Sequence, residues 1–309
     1  MTAREMNHKA LNELSMQNQA EAQKLLFENA KKNPCHETFN NLGYYLCTEG
    51  LMCSNRHFRK ADNLGIKYII KAAKIRTSTV NLCGIATVID LLNRNNVNSS
   101  DDFLSYGNAY SALDKAVKLD YSDELEYNRL RFLYLCDAKN ETILDGLRKL
   151  VQSYICEDSI TFYLYVLCTH SMFEECLSVI KKYGQYVNSA DLMILYYLCG
   201  EYAMGATYFT EIIDKIRLDE TEAAIMCECL IRAGKPNEAK QYADSVTEYE
   251  SDIKYKGKDN WTARVFDDLT NSTEYRSRLI SGYKYIPSYI TPCCYFGCPV
   301  HKTTDIDII

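Results

Sequence analysis

The chain has 309 residues, 47% of them apolar and 25% charged, with 35 basic residues against 41 acidic ones for a net charge of -6. That composition is that of a globular chain rather than a disordered one. The acidic balance, with no run of five Lys or Arg, argues against nucleic-acid binding by phosphate neutralisation. The first fifteen residues hold no apolar signal core, and runs such as LMILYYLC (residues 192–199) fall far short of the roughly 18 residues a membrane span needs. The expectation is an unprocessed cytoplasmic chain with no membrane contact.

Eleven of the fourteen cysteines stand singly among apolar residues, in strings such as GYYLC, FLYLC, LYVLC and LYYLC. Free cysteine behaves as a small buried hydrophobe, and nothing points to a secreted disulfide framework, so these eleven read as reduced core thiols.

Three of the five prolines, Pro287, Pro292 and Pro299, fall in the last 25 residues. Residues 1 to about 285 are therefore free to be almost continuously helical, and the end is not. Apolar residues recur at helical spacing from the start, as in Ala22-x3-Leu26 with Asn29 and Ala30, followed by Pro34. Next comes NNLGYYL, residues 40–46, with Gly43 inside a helical pattern. Glycine costs a helix interior about 1 kcal/mol relative to alanine, so Gly43 needs a reason to be there. Thr79-x2-Leu82-Cys83-x2-Ala86 and Ala109-x3-Leu113-x2-Ala116 are further helices, and residues 127–154 read as a helical hairpin.

A frame then occurs three times: Ser171-x-Phe173-x2-Cys176-x3-Ile180, Gly200-x-Tyr202-x2-Gly205-x3-Phe209, and Gly234-x-Pro236-x2-Ala239-x3-Ala243. Its first residue marks a turn between antiparallel helices that needs left-handed backbone. The small residue opens the second helix to close approach, and the apolar residue four positions later fills the space on the same face.

These frames resemble the tetratricopeptide repeat, a 34-residue helical hairpin with the pattern W-x2-L-G-x2-Y, A-x3-F and P. The step from Gly200 to Gly234 is 34 residues. In that register Phe39-x2-Leu42-Gly43-x2-Leu46 is a first-helix half, and Gly43 sits where the neighbouring helix packs too close for a side chain. The resemblance implies an all-α, right-handed superhelical solenoid of about seven hairpins over residues 1–255. The early repeats are stretched: residues 47–60 and 93–105 are surplus to the pattern and read as polar projecting loops. Residues 256–285, with Trp261, form the expected capping helix or helices. Residues 286–309 are a non-helical Cys/Pro-rich tail.

Catalytic motifs are absent: there is no G-x-S-x-G elbow, Gly-rich phosphate loop or H-E-x-x-H. Cys293, Cys294, Cys298 and His301 cluster within nine residues, a density that suits zinc, although C-C-x3-C-x2-H matches no common zinc module. A plain thiol-rich tail and thiol redox chemistry are the competing readings. Tyrosine, at 25 residues, is abundant and suits both core packing and interfaces.

The leading expectation is a non-enzymatic scaffold, without cofactor, that binds a protein or peptide in a concave groove. Asn41 and Asn81, two positions before the Gly-like site, face the groove in peptide-binding members of the family, with Tyr44 and Tyr45 beside Asn41. The alternative is a zinc- or thiol-dependent function of the tail. A third reading joins the two, with the end HKTTDIDII (residues 301–309) lying in the protein's own groove as a ligand mimic.

Overall fold

In the computed structural model, which describes residues 1–52, 58–94, 107–212, 220–242, 285–288 and 294–298, every regular element is a helix and no β-strand is present among the described residues. The all-α expectation holds. None of the described helices is long and apolar enough to cross a membrane. The chain divides into two units, residues 1–136 with 289–309, and residues 137–288. The expected capping segment 256–284, Trp261 included, lies outside the described residues.

The first unit holds α1 (Ala3–Ser15), α2 (Gln19–Lys32), α3 (His36–Met52), α4 (Phe58–Ile75), α5 (Thr79–Arg94), α6 (Ala109–Leu119) and α7 (Asp123–Cys136). Thr2 and Glu5 start α1 with a reciprocal cap: the Glu5 N–H donates to Thr2 Oγ1 at 3.2 Å, and the Thr2 N–H to Glu5 Oε2 at 2.8 Å. Each helix packs on the next in sequence, and α3 also touches α5. One apolar core joins α1, α2 and α3, with Leu11, Leu26 and Leu42, and a second runs from α3 to α7, with Ile69, Leu82, Ile85 and Leu113.

The second unit holds α8 (Glu141–Ser153), α9 (Glu157–Thr169), α10 (Phe173–Tyr183), α11 (Ser189–Leu198), α12 (Tyr202–Ile212) and α13 (Glu220–Arg232), with residues 236–242 also helical. Residues 127–154, expected as a helical hairpin, take in most of α7 and all of α8, which belong to different units. In this unit α9 touches α10 and α11, and α11 touches α12 and α13.

The three repeated turns have the left-handed backbone their frame requires. Ser171, Gly200 and Gly234 have φ of 58°, 81° and 80°. In each the N–H of the following residue returns to a helical carbonyl five positions back: Met172 to Leu167 at 2.9 Å, Glu201 to Tyr196 at 2.8 Å, and Lys235 to Leu230 at 2.8 Å. Gln17, φ 62°, ends α1 in the same way and was not part of the frame.

Several of the described tyrosines are core residues. Tyr127, Tyr163, Tyr165 and Tyr197 are buried. The Tyr163, Tyr165 and Tyr197 hydroxyls donate to Glu175, Asp191 and Glu228 at 2.7, 2.8 and 2.6 Å. Glu228 also pairs with Arg232 at 2.6 Å, so this buried carboxylate is compensated.

The stretch after Gly43 departs from expectation. Residues 47–52 and 58–60, expected in a projecting loop, are helix: α3 has 17 residues and α4 has 18. Residues 53–57 and 95–106 lie outside the described residues. The physical reason is a close approach that continues past the repeat frame. A Cβ on Gly43 would stand 2.7 Å from Gly65 O and from Ile69 N, and one on Gly65 would stand 2.7 Å from Cys47 Sγ. Two helices held at backbone distance gain contact with every added turn, which offsets the cost of ordering those residues.

Gly43→Ala puts about 1 kcal/mol of better helix propensity against a backbone clash of the overpacking kind. The clash dominates because two of the three close atoms, Gly65 O and Ile69 N, belong to backbone. Urea denaturation of the full chain is expected to show a loss of about 2 kcal/mol. A neutral or stabilised variant would mean that α3 and α4 do not meet at this point.

Candidate functional site

Among the buried polar side chains of the first unit are asparagines on alternate helices. Asn7 of α1, Asn41 of α3, Asn81 of α5 and Asn128 of α7 are each no more than 1% exposed. Asn7 and Asn41 are 34 residues apart. A buried amide must find partners for an acceptor and two donor hydrogens.

For Asn41 those partners are the backbone of residues 294–298, a segment outside any helix. Tyr295 N–H donates to Asn41 Oδ1 at 2.8 Å, and Asn41 Nδ2 donates back to the Tyr295 carbonyl in a short hydrogen bond. The second Nδ2 hydrogen goes to Asn7 Oδ1 at 2.9 Å. Asn7 Nδ2 in turn reaches the carbonyls of Phe296 at 2.8 Å and Gly297 at 3.3 Å. The two amides therefore hold three consecutive residues by their main chain, independent of side-chain identity.

The held segment is a tight turn. Phe296 and Gly297 have φ of 56° and 87°, successive left-handed residues of the kind found in type I′ turns. Left-handed backbone at a residue with a Cβ costs on the order of 1–2 kcal/mol, so Phe296 keeps it only because both flanks are fixed. On one flank, Cys294 and Cys298 are buried in the core with Leu82, Cys83 and Ile85. On the other, the Tyr295 ring meets His36 edge-on at 5.2 Å, and its hydroxyl pairs with Ser78 Oγ. Burial pushes the Tyr295 phenol up to about 12, so it is a neutral group at working pH.

Of the residues expected at a groove, Asn41 is the one bonded to the Tyr295 main chain. Asn81 does not reach the segment: its Nδ2 donates to Arg76 O at 2.6 Å, and its N–H to Ser78 Oγ at 3.2 Å, so it shapes the loop that presents Ser78 to Tyr295. Asn81 Oδ1 is buried without a hydrogen bond. Tyr44 and Tyr45 are buried core side chains, Tyr44 in the α3–α7 core and Tyr45 in the α1–α3 core. Cys294 and Cys298 are buried, and Cys293, His301 and the end 301–309 lie outside the described residues. Asn7 and His36 belong to the site, and Asn7 was not singled out from sequence. The signal for Asn7 was its 34-residue distance from Asn41.

His36 adds a pH dependence. It is 8% exposed, and burial pushes its imidazole below the ordinary value, with Glu37 opposing and Arg76 reinforcing. A histidine with a depressed folded pKa binds fewer protons folded than unfolded. Its contribution is then full above the unfolded value of about 6.5 and is lost as pH falls below it.

No family model and no curated protein matches the chain.

Asn41→Ala leaves the Tyr295 N–H and carbonyl without partners, at about 1–3 kcal/mol for a buried unsatisfied group. Limited proteolysis of the full chain is expected to cut within residues 289–300 about 10- to 100-fold faster than in the unaltered protein. Cleavage in the unaltered chain should also quicken from pH 7.5 to pH 5.5, and that acid dependence should weaken in His36→Gln. Equal cleavage of Asn41→Ala and the unaltered chain would remove the amide clamp from the account.

Proposed function

We propose that the protein is a non-enzymatic, tetratricopeptide-like scaffold that binds a polypeptide in the Asn-lined groove of its first unit. In this reading residues 294–298 are the resident occupant, and a protein or peptide partner with a comparable aromatic turn takes their place. The observation that carries it is the paired hydrogen bond between the Asn41 amide and both main-chain groups of Tyr295. Main-chain recognition by a side-chain amide is a means of holding a peptide whose register is then set by pockets for its side chains. Here those pockets would be the His36 and Ser78 surfaces around Tyr295.

Three further observations support a repeat build within each unit. The contacts α3 to α5, α9 to α11 and α11 to α13 link alternate helices, as stacked hairpins do. The left-handed turn recurs at Ser171, Gly200 and Gly234. The buried asparagines Asn7 and Asn41 stand one repeat apart. The right-handed superhelical course is part of the proposal.

The test uses the full chain carrying Tyr295→Ala, which empties the ring site, and a labelled, reduced peptide of residues 290–300. This variant is expected to bind the peptide at least tenfold more tightly than the unaltered chain, whose own segment competes at high effective concentration. Adding Asn41→Ala should abolish that binding. If the Tyr295→Ala chain folds and binds no peptide, residues 294–298 are a permanent part of the core and the groove is not a binding site.

A further inference from the structure

Three cysteines of the second unit come together although they are scattered in sequence. Cys168 lies in the last turn of α9, Cys176 in the first turns of α10, and Cys199 directly follows α11. The left-handed turn at Ser171 folds α10 back on α9, and the contact of α11 with α9 brings in the third residue. The Cys168 sulfur is 3.6 Å from that of Cys176 and 3.9 Å from that of Cys199, and all three lie within 4.8 Å of one another. All three are free thiols. Cys176 is fully buried, whereas Cys168 and Cys199 are half-buried, so the cluster has a closed floor and an edge toward solvent.

We infer that Cys168, Cys176 and Cys199 form a binding site for one thiophilic d10 cation, Zn(II) or Cu(I), held by three thiolates. Sulfurs bound at about 2.3 Å stand about 3.8 Å apart at tetrahedral angles and about 4.0 Å apart in a trigonal plane. Two of the three separations already have those values, and the third closes by less than about 1 Å. No other His, Cys, Asp or Glu among the described residues joins the group. A Zn(II) would therefore complete its shell with water at the open edge, and Cu(I) is satisfied by three sulfurs.

Loading exchanges protons for the cation. Three thiols and Zn(II) give a tris-thiolate of charge -1 and release three protons to solvent, and Cu(I) gives charge -2 with the same release. Affinity falls with acid as the ligands are reprotonated.

The test uses the full chain, reduced and kept anaerobic, titrated with Zn(II) against a chromophoric chelator and separately with Cu(I) against a cuprous chelator. One equivalent is expected to bind, and the arm with the higher affinity identifies the ion. Iodoacetamide labelling read by mass spectrometry should show the half-buried Cys168 and Cys199 protected by the metal and the remaining cysteines unchanged. This readout needs no variant. Cys168→Ser with Cys199→Ser alters only half-buried positions and should lose the bound equivalent, whereas Cys293→Ser with Cys298→Ser should keep it. Absence of uptake by the reduced chain overturns the inference, as does protection that falls on Cys293, Cys294 and Cys298 instead. A Cys168–Cys176 disulfide that, once reduced, leaves a chain unable to take up metal has the same consequence.

Discussion

Main-chain groups that are buried outside a helix have to be given hydrogen-bond partners from elsewhere, and in the first unit that need is met by two side-chain amides. Residues 294–298 carry main-chain N–H and carbonyl groups into the core, where Cys294 and Cys298 join the apolar cluster. An amide is the side chain suited to the task, because it accepts and donates at once. A carboxylate accepts only, and a hydroxyl has a single hydrogen to give. Asn41 uses its acceptor and both donor hydrogens: one accepted bond from Tyr295, one donated to Tyr295 and one donated to Asn7. Without that saturation the buried amides and the buried turn would each carry an unsatisfied penalty, and the left-handed backbone at Phe296 would have nothing to hold it.

The position of Asn41 follows from packing elsewhere on the same helix. Gly43 fixes the face of α3 that lies against α4, with backbone nearly touching backbone at Gly65 and Ile69. At about 100° per residue, a side chain two positions earlier lies about 200° around the helix, on the side turned away from α4. The close approach that looks like a local cost in helix propensity is what aims the amide. Cys47 against Gly65 extends the same contact by another turn, and so the surplus residues of the early repeat are spent as helix length. In the second unit the repeated turn has a comparable effect: the backbone reversal at Ser171 places Cys168 and Cys176 within 3.6 Å.

Much of this was legible in the sequence wherever a single residue carries the constraint. Ser171, Gly200 and Gly234 reveal their turns because left-handed backbone narrows the choice of residue. Gly43 reveals the close helix pair because nothing else explains a glycine there. Asn41 follows from its offset to Gly43 once the repeat register is set. Asn7 was hidden because α1 has the exposed Lys9, not a glycine, at the equivalent place, and only the 34-residue distance marks it. Tyr44 and Tyr45 look like groove residues in a string of aromatics. A helix buried on two sides shows no polar face to separate them, and each fills a different core. The three thiols of the second unit were read singly because their separations of 8 and 31 residues match no ligand spacing, and only the packing of α9, α10 and α11 unites them.

The central claim is that residues 294–298 are held by their backbone, and hydrogen exchange of the unaltered full chain at neutral pH reads that directly. The account predicts that the Tyr295 amide, which donates to the buried Asn41 Oδ1, exchanges as slowly as the core amides of α3. Exchange of Tyr295 at the rate of an unstructured peptide, while α3 stays protected, would contradict it.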